Sequence, residues 1–267
     1  MTVADTKPLA VVTGASSGIG LELAKQFADN GYDLIIAAED DALDGAVSTI
    51  GNLGAAVKVA RVDLATYDGV ERLWSTIESN GRAVDAIAIN AGVGAGGDFT
   101  RDVALDDELA LIQLNVVSTV HLAKRVLPGM VERGNGRVLF TSSIAAMMPS
   151  PFQAVYGASK SFVQSLAEGL RVELEGTGVT VTALMPGPTE TDFFRRADME
   201  DTKIGSESKD DAAQVARQGY DALMSGKEKV IAGSVKTRAM GESAKVTPDH
   251  AKAKMHRSIA EPGSADS

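Results

Sequence analysis

Cysteine is absent from the 267 residues, and histidine occurs only three times. Disulfide frameworks, thiolate metal sites and cysteine nucleophiles are thereby excluded, and a histidine-rich metal centre lacks ligands. Basic residues are also in the minority, 26 against 36 acids, and the resulting net charge of −10 repels phosphodiester backbones, so no nucleic-acid partner is expected. No apolar run approaches the roughly 18 residues of a membrane span. The opening Met1-Thr2-Val3-Ala4-Asp5-Thr6-Lys7 lacks a basic segment followed by an apolar one, so a soluble cytoplasmic protein is expected. Aromatic residues are scarce at 4%, against 44% hydrophobic and 23% charged, a composition ordinary for a soluble enzyme. Its chemistry must come from other side chains or from a cofactor, with no metal expected.

What the chain does have is rhythm. From Leu9 onward short apolar runs alternate with longer amphipathic stretches, the pattern of repeated β-α units around a parallel sheet. Strands are predicted at Leu9–Thr13, Asp33–Ala38, Ala56–Val62, Asp85–Asn90, Arg137–Ser142, Val179–Met185 and Lys229–Ala232. Most are continuously apolar, as strands covered on both faces should be. Helices are predicted at Gly18–Asn30, Asp40–Ile50, Tyr67–Asn80, within Asp106–Arg133, and at Tyr156–Glu175 and Asp210–Ser225, with Pro128 near a kink or an end. One domain spans residues 1–235. Residues 193–209 read as a flexible loop long enough to serve as a lid, and residues 236–267 as a polar, partly flexible extension.

The first strand runs into Thr13-Gly14-Ala15-Ser16-Ser17-Gly18-Ile19-Gly20, followed by a helix. Glycines there allow a tight turn and close approach of a ligand, and the helix N-terminus offers free N–H groups and a positive dipole end to a pyrophosphate. The same glycines also suit a bare strand-to-helix turn. A triphosphatase loop would need a lysine after the glycines, and none follows. Gly14-Ala15-Ser16-Ser17-Gly18 also matches a nucleophile elbow, which would make Ser16 the nucleophile of a hydrolase. The late His250 and His256 fall in the polar tail, which makes a packed triad improbable. A methyl-transferring domain is a further reading of the glycine loop, to be weighed against the rest of the constellation.

Tyr156-Gly157-Ala158-Ser159-Lys160 sets a phenol and an ammonium four residues apart on one helical face. A neighbouring ammonium is expected to lower a phenol's pKa from about 10 towards the working pH, as a general acid/base requires. By itself the pair also fits an exposed helix surface. Further motifs accompany it: Asp63-Leu64 after the third strand, Asn90-Ala91-Gly92 after the fourth, Asn115 in a helix, Ser143 thirteen residues before Tyr156, and Pro186-Gly187 followed by Thr189 and Thr191. With these residues in place the chain resembles the short-chain dehydrogenase/reductase family, from the first strand to about Ala232.

That resemblance implies an α/β single-domain Rossmann fold, a doubly wound parallel sheet flanked by helices, and an NAD(P)-dependent oxidoreductase acting between a carbonyl and a secondary alcohol. It implies the catalytic set Asn115, Ser143, Tyr156 and Lys160. Tyr156 would exchange the proton with the substrate oxygen, Ser143 would hydrogen-bond that oxygen, and Lys160 would hold the nicotinamide ribose. Asn115 would support Lys160 through a water. Gly14, Ser16, Ser17, Gly18, Ile19 and Gly20 would receive the dinucleotide, Asp63 and Leu64 the adenine, Asn90, Ala91 and Gly92 the adenosine side, and Pro186, Gly187, Thr189 and Thr191 the carboxamide and phosphates. Ser142 adjoins Ser143 and competes for its role, although the spacing favours Ser143. The family more often carries Asn where Ile89 stands here.

Cofactor selectivity is read where the second strand ends, at Glu39-Asp40-Asp41. Glu39 occupies a position where relatives using NADP often carry arginine, so NAD is expected over NADP. These acids also suit solvent and the start of the following helix. Met147, Met148, Pro149, the run Gly92–Gly97, Val155 and Phe193-Phe194 are expected to face an apolar substrate carrying a carbonyl or alcohol. Arg195 and Arg196 would meet either an acidic substrate group or solvent. The family's usual assembly implies a homodimer or homotetramer. A dinucleotide-binding redox sensor without turnover is the alternative, and the intact Asn115, Ser143, Tyr156, Lys160 set argues against it.

Overall fold

The computed structural model describes residues 7–266. The reading of residues 1–6 as lacking a leader lies outside them.

Seven strands form one wholly parallel sheet: β1 Leu9–Thr13, β2 Asp33–Ala38, β3 Val57–Arg61, β4 Ala86–Ile89, β5 Gly136–Thr141, β6 Val179–Pro186 and β7 Lys229–Ala232. Their order is β3-β2-β1-β4-β5-β6-β7. The runs LAVVT of β1 and AIAI of β4 are buried throughout, because helices cover both faces of the sheet's centre. Alternate residues of one strand serve opposite cores. Leu9, Val11, Ile35 and Ala37 pack with α3 (Tyr67–Glu78), α5 (Ser118–Arg133) and α6 (Ala154–Glu173) through Leu73, Val126 and Val163. Ala10, Val12, Leu34 and Ile36 pack with α1 (Gly18–Asp29), α2 (Ala42–Gly51) and α9 (Ala212–Met224) through Phe27, Ile50 and Leu223. Three of the few aromatics meet in this second core, where Phe27 contacts Tyr32 and Tyr220 edge-on at 5.2 Å each.

The strand order reverses direction between β1 and β4, which diverges the loops beyond their carboxyl ends and opens a crevice there. The glycine loop follows β1 and Asn90-Ala91-Gly92 follows β4, so the topology alone brings these distant segments to one place.

Three features depart from the expectations, while Pro128 lies near a helix end as expected. Asp106–Arg133 contains α4 (Leu105–Ile112) and α5 joined through a π-helical turn at Gln113–Val117, and Asn115 lies in that turn. Pro128 sits inside α5 towards its end, and the helix continues past it to Arg133. Residues 193–209 are not a bare loop: they form α7 (Phe193–Arg196) and α8 (Lys203–Ser206), and Phe194, Ala197 and Met199 are buried with Ala260. The extension carries two helices, α10 (Val235–Ala244) and α11 (Asp249–Ala260). It is pinned by named bonds. Lys203 N donates to Ser264 Oγ at 3.0 Å and Ala265 N to the Asp201 carbonyl at 3.0 Å. Lys252 Nζ donates to the Met147 carbonyl at 2.8 Å. Its polar sequence concealed a narrow seam of contacts, mainly His256 and Ala260, on an otherwise solvated helix.

Candidate active site

The glycine loop is shaped by backbone demands that glycine alone meets. Gly14 and Gly18 stand at φ 65° and 55°, the left-handed region. At Gly20 the constraint is space, since a Cβ there would lie 2.0 Å from the Gly14 carbonyl oxygen and 2.6 Å from Asn90 Nδ2. The loop is also stitched to the β4 end. Thr13 Oγ1 accepts from Asn90 N at 2.9 Å and Ala91 N at 3.0 Å, and Asn90 Nδ2 donates to the Thr13 carbonyl at 3.1 Å. The hydroxyl of Thr141 at the end of β5 donates to Asn90 Oδ1 at 3.0 Å, which ties a third strand end to the same crevice.

One continuous cleft runs along these strand ends. It is lined by Gly14, Ser16, Ser17, Gly18, Ile19, Gly20, Glu39, Asp63, Leu64, Asn90, Ala91, Gly92, Ser143, Tyr156, Lys160, Pro186, Gly187, Thr189 and Thr191. All the catalytic and dinucleotide-binding residues named from the sequence therefore line one cleft, except Asn115, which lies behind its wall. Of the residues expected to face the substrate, Gly92, Val93, Gly94, Met148, Phe193 and Phe194 line it, whereas Met147, Pro149, Val155, Gly96 and Gly97 do not. Asn115 is buried, donates from Nδ2 to the Val93 carbonyl at 2.9 Å and to Ser159 Oγ at 3.1 Å, and accepts at Oδ1 from Val93 N at 3.0 Å. A Cβ on Gly92 would touch both Asn115 Oδ1 and Lys160 Nζ, at 3.0 and 3.1 Å. The π turn thus holds Asn115 against the segment that faces Lys160.

Ser142 and Ser143 are separated by their partners. Ser142 Oγ is buried and donates to the Lys160 carbonyl in α6 at 3.0 Å, a structural tie between β5 and that helix. Ser143 Oγ accepts from Ala145 N at 3.1 Å and donates to the Pro186 carbonyl at 3.4 Å, and it stands near enough to the Tyr156 phenol to favour its ionised form. With the role that the resemblance implies for it, Ser143→Ala is expected to lower kcat about 100-fold, as loss of a donor to a developing oxyanion does. Ser142→Ala should instead cost about 1 kcal/mol of stability with turnover largely kept. Thermal melts and steady-state rates of the two variants check this contrast.

Tyr156 and Lys160 are adjacent, with Nζ 5.8 Å from the ring centroid and donating to the Thr141 carbonyl at 3.1 Å. Burial dominates both groups. The Tyr156 phenol is pushed up to about 12, opposed by the neighbouring Ser143, and Lys160 is pushed down to about 8. The lowered phenol pKa expected from the sequence is therefore not present in the site as it stands. Desolvation of the ring raises the phenol, opposed only by Ser143, and the charge of the neighbouring ammonium is itself disfavoured by burial.

At the other end of the cleft Ser16 Oγ donates to Asp40 Oδ2 at 3.0 Å, and Arg196 reaches over from α7 to the same oxygen at 3.5 Å. Asp40 Oδ1 is buried and lacks a hydrogen-bond partner among the described residues. Arg196 was legible only as one of a basic pair in a loop, because its meeting with Asp40 is a tertiary event. Phe193, in the same helix, packs on the Tyr156 end of the cleft, its ring 5.2 Å from that of Tyr156. His256 and Ile259 of α11 and Met240 of α10 also line the cleft. Met240 and Ile259 were missed, and His256 was legible only as a partner of Ser16, because their helices carry no strong amphipathic signal. The hydrolase alternative loses its geometry here: Ser16 is engaged with Asp40, and His256 Nδ1 with the Pro151 carbonyl at 3.1 Å. Among the described residues no group of His, Asp and Glu side chains is arranged to hold a metal ion.

Comparison with known proteins agrees with this architecture. The profile of the short chain dehydrogenase family matches residues 8–202. Sulfoacetaldehyde reductase 2 of Chromohalobacter salexigens is 33% identical over 186 residues, 69% of this chain and 74% of its own. An NADP-dependent 3-hydroxy acid dehydrogenase of Salmonella typhi is 31% identical over 179 residues, 67% of this chain and 71% of its own. Among solved structures, a short-chain dehydrogenase/reductase of Burkholderia phymatum in complex with NAD superposes with TM-score 0.80 at 25% identity, covering 96% of this chain and 97% of that one. A short-chain dehydrogenase of Sphingobium yanoikuyae in complex with NADPH gives 0.77 at 28%, covering 84% and 87%. With the parallel sheet, the glycine crevice and the serine, tyrosine and lysine brought together at its mouth, the chain belongs to the short-chain dehydrogenase/reductase family of oxidoreductase enzymes.

Proposed function

We propose that the protein interconverts a carbonyl and a secondary alcohol, with Tyr156 as general acid/base and NAD as the preferred dinucleotide. The observation that carries the reading is the convergence of Ser143, Tyr156 and Lys160 at one end of a cleft whose other end is a glycine cradle on a helix N-terminus. The residues fit a nicotinamide dinucleotide. Gly20 lets the loop fold closely against Gly14 and Asn90 at the start of α1, and the unpartnered Asp40 Oδ1 in the same cleft is an acceptor for ribose hydroxyls. When bound, the dinucleotide supplies or takes up the hydride.

The chain's own residues do the rest. Gly18, Ile19 and Gly20 present the α1 N-terminus to the pyrophosphate. Asp63 and Leu64 flank the adenine, Asn90 to Gly92 the adenosine side, and Pro186, Gly187, Thr189 and Thr191 the nicotinamide half. Ser143 donates to the substrate oxygen and stabilises charge there. Tyr156 delivers its phenolic proton to that oxygen during reduction and takes it back during oxidation. Lys160 holds the ribose beside it, and Asn115 positions Lys160 through the Gly92–Val93 segment and an intervening water. Phe193 on the phenol ring and Met148 in the cleft wall exclude water from an apolar substrate.

The preference for NAD rests on charge. Glu39 and Asp40 stand at the ribose corner, and a 2′-phosphate would meet both acids. Arg196 is the one base brought to Asp40 among the described residues, and it is already paired with that carboxylate. Initial rates with a panel of ketones and equal NADH and NADPH test the whole reading. Faster turnover with NADH supports it, and a strong NADPH preference contradicts the charge argument.

The assembly is proposed to be a homodimer or homotetramer. Leu105, Leu109 and Val117 of the α4–α5 helix and Phe162 and Val172 of α6 are exposed apolar side chains suited to a partner copy. Light scattering should give a multiple of the 27.7 kDa chain mass, and a monomer would contradict this. Among the described residues no helix is long and apolar enough to cross a membrane.

A further inference from the structure

Helix α11 lies against the segment that joins the catalytic serine to the catalytic tyrosine. Lys252 Nζ donates to the Met147 carbonyl at 2.8 Å, His256 Nδ1 bonds to the Pro151 carbonyl at 3.1 Å, and the Arg257 guanidinium lies 5.8 Å from the Phe152 ring centre. Ala260, one helical turn after His256, is buried with Phe194, and Phe193 packs between that cluster and the ring of Tyr156. The face of α11 that bears His256 is thereby fixed at the substrate end of the cleft. His256 is only 4% exposed, yet it lines that cleft together with Ile259, Met240, Ile204, Phe194 and Met148.

Its tautomer follows from its partner. A prolyl carbonyl can only accept, so Nδ1 carries the hydrogen, and in the neutral ring Nε2 carries a lone pair. Burial lowers the pKa of His256, opposed by the Pro151 hydrogen bond, which keeps the ring neutral near pH 7. Nε2 has no hydrogen-bond partner among the described residues, and it points away from the edge held by Pro151. Nε2 is not among the buried atoms without a partner, so the lone pair keeps access to the cleft and is an acceptor open to a ligand donor there.

We propose that His256 Nε2 accepts a hydrogen bond from a second hydroxyl of the substrate, so that the favoured substrates are hydroxylated ketones, or the corresponding diols, on an apolar body. The proposal rests on the dehydrogenase reading above. His256 is a specificity residue in it and takes no part in proton transfer at the reacting carbon.

The test compares kcat/KM for aryl ketones bearing a hydroxyl one, two or three carbons from the carbonyl with the same ketones lacking that hydroxyl and with their methyl ethers. The wild type should prefer at least one hydroxylated ketone by about tenfold or more over both analogues. In His256→Asn the amide nitrogen replaces Nδ1 towards Pro151 and nothing replaces the Nε2 lone pair, so the ratio should fall to within about twofold of unity. In His256→Gln a side-chain oxygen reaches the Nε2 position, and part of the ratio should return. Turnover of the parent ketones by the wild type with no preference for any hydroxylated one overturns the proposal and leaves the dehydrogenase reading standing, without need of a variant. A ratio that persists in His256→Asn also overturns it. Absence of turnover of every ketone with both dinucleotides overturns the dehydrogenase reading, and this proposal falls with it.

Discussion

Tyr156→Phe lowers ketone turnover by about 1,000-fold or more while the affinity for dinucleotide stays near that of the wild type. The ring is kept, so the contact with Phe193 persists, and the phenolic hydroxyl with its dissociable proton is removed. The wild-type phenol is pushed up to about 12 by its burial. The sign of the pH dependence follows. Below that value Tyr156 is protonated, which is the form that donates in reduction, so reduction should be flat through the neutral range. Oxidation needs the phenolate, whose fraction at pH 7 is about 10⁻⁵ for such a pKa and rises tenfold per pH unit. Alcohol oxidation should therefore climb steadily through the alkaline range. Lys160, pushed down to about 8, loses its charge over part of the same range and so loses its electrostatic support for the phenolate. Initial rates in both directions across pH, for wild type and Tyr156→Phe, measure these effects. Equal flatness in both directions would contradict the assignment of the phenol as the titrating group.

The second large effect is expected at the other end of the cleft. Gly20→Ala places a methyl 2.0 Å from the Gly14 carbonyl oxygen and 2.6 Å from Asn90 Nδ2, and the first of these is backbone that cannot rotate away. The loop must shift, which misplaces the N–H groups at the start of α1 and strains the Thr13–Asn90 hydrogen bonds. Stability should fall by about 1–3 kcal/mol. Dinucleotide affinity should fall by roughly ten- to a hundredfold, the worth of one or two charge-assisted hydrogen bonds. Thermal denaturation and a fluorescence titration with NADH separate the two losses. An alanine at Gly45 in α2, where a Cβ meets nothing within 4 Å, is the control for a general effect of glycine replacement.

The strands were legible because a sheet covered on both faces leaves little choice of residue. β1, β2 and β7 lie where their apolar runs stand, and the other strands differ from the reading by a residue or two at their ends. The glycine loop, Ser143, Tyr156 and Lys160 were legible because each sits at a fixed offset from a strand end, and the sheet order then brings the offsets together. Three things were hidden. The value of the Tyr156 pKa depends on how much chain closes over the ring, and sequence spacing records only the neighbouring ammonium. The pairing of Arg196 with Asp40 joins residues from opposite sides of the cleft, with no local pattern to mark it. The C-terminal extension reads as polar because α11 buries little more than His256 and Ala260, yet those contacts and three hydrogen-bonded or cation-π anchors suffice to seat it on the substrate end.

The central claim is that hydride passes between a dinucleotide in the glycine cleft and a carbonyl carbon held beside Tyr156. Incubation of the enzyme with a ketone that it reduces and with NADH deuterated at the nicotinamide C4 position addresses this directly. The account predicts an alcohol carrying deuterium at the carbinol carbon, formed in step with loss of nicotinamide absorbance and absent with Tyr156→Phe. Tight binding of NADH with neither absorbance change nor labelled alcohol, across the ketone panel and with both dinucleotides, would contradict it and identify a dinucleotide sensor in place of an enzyme.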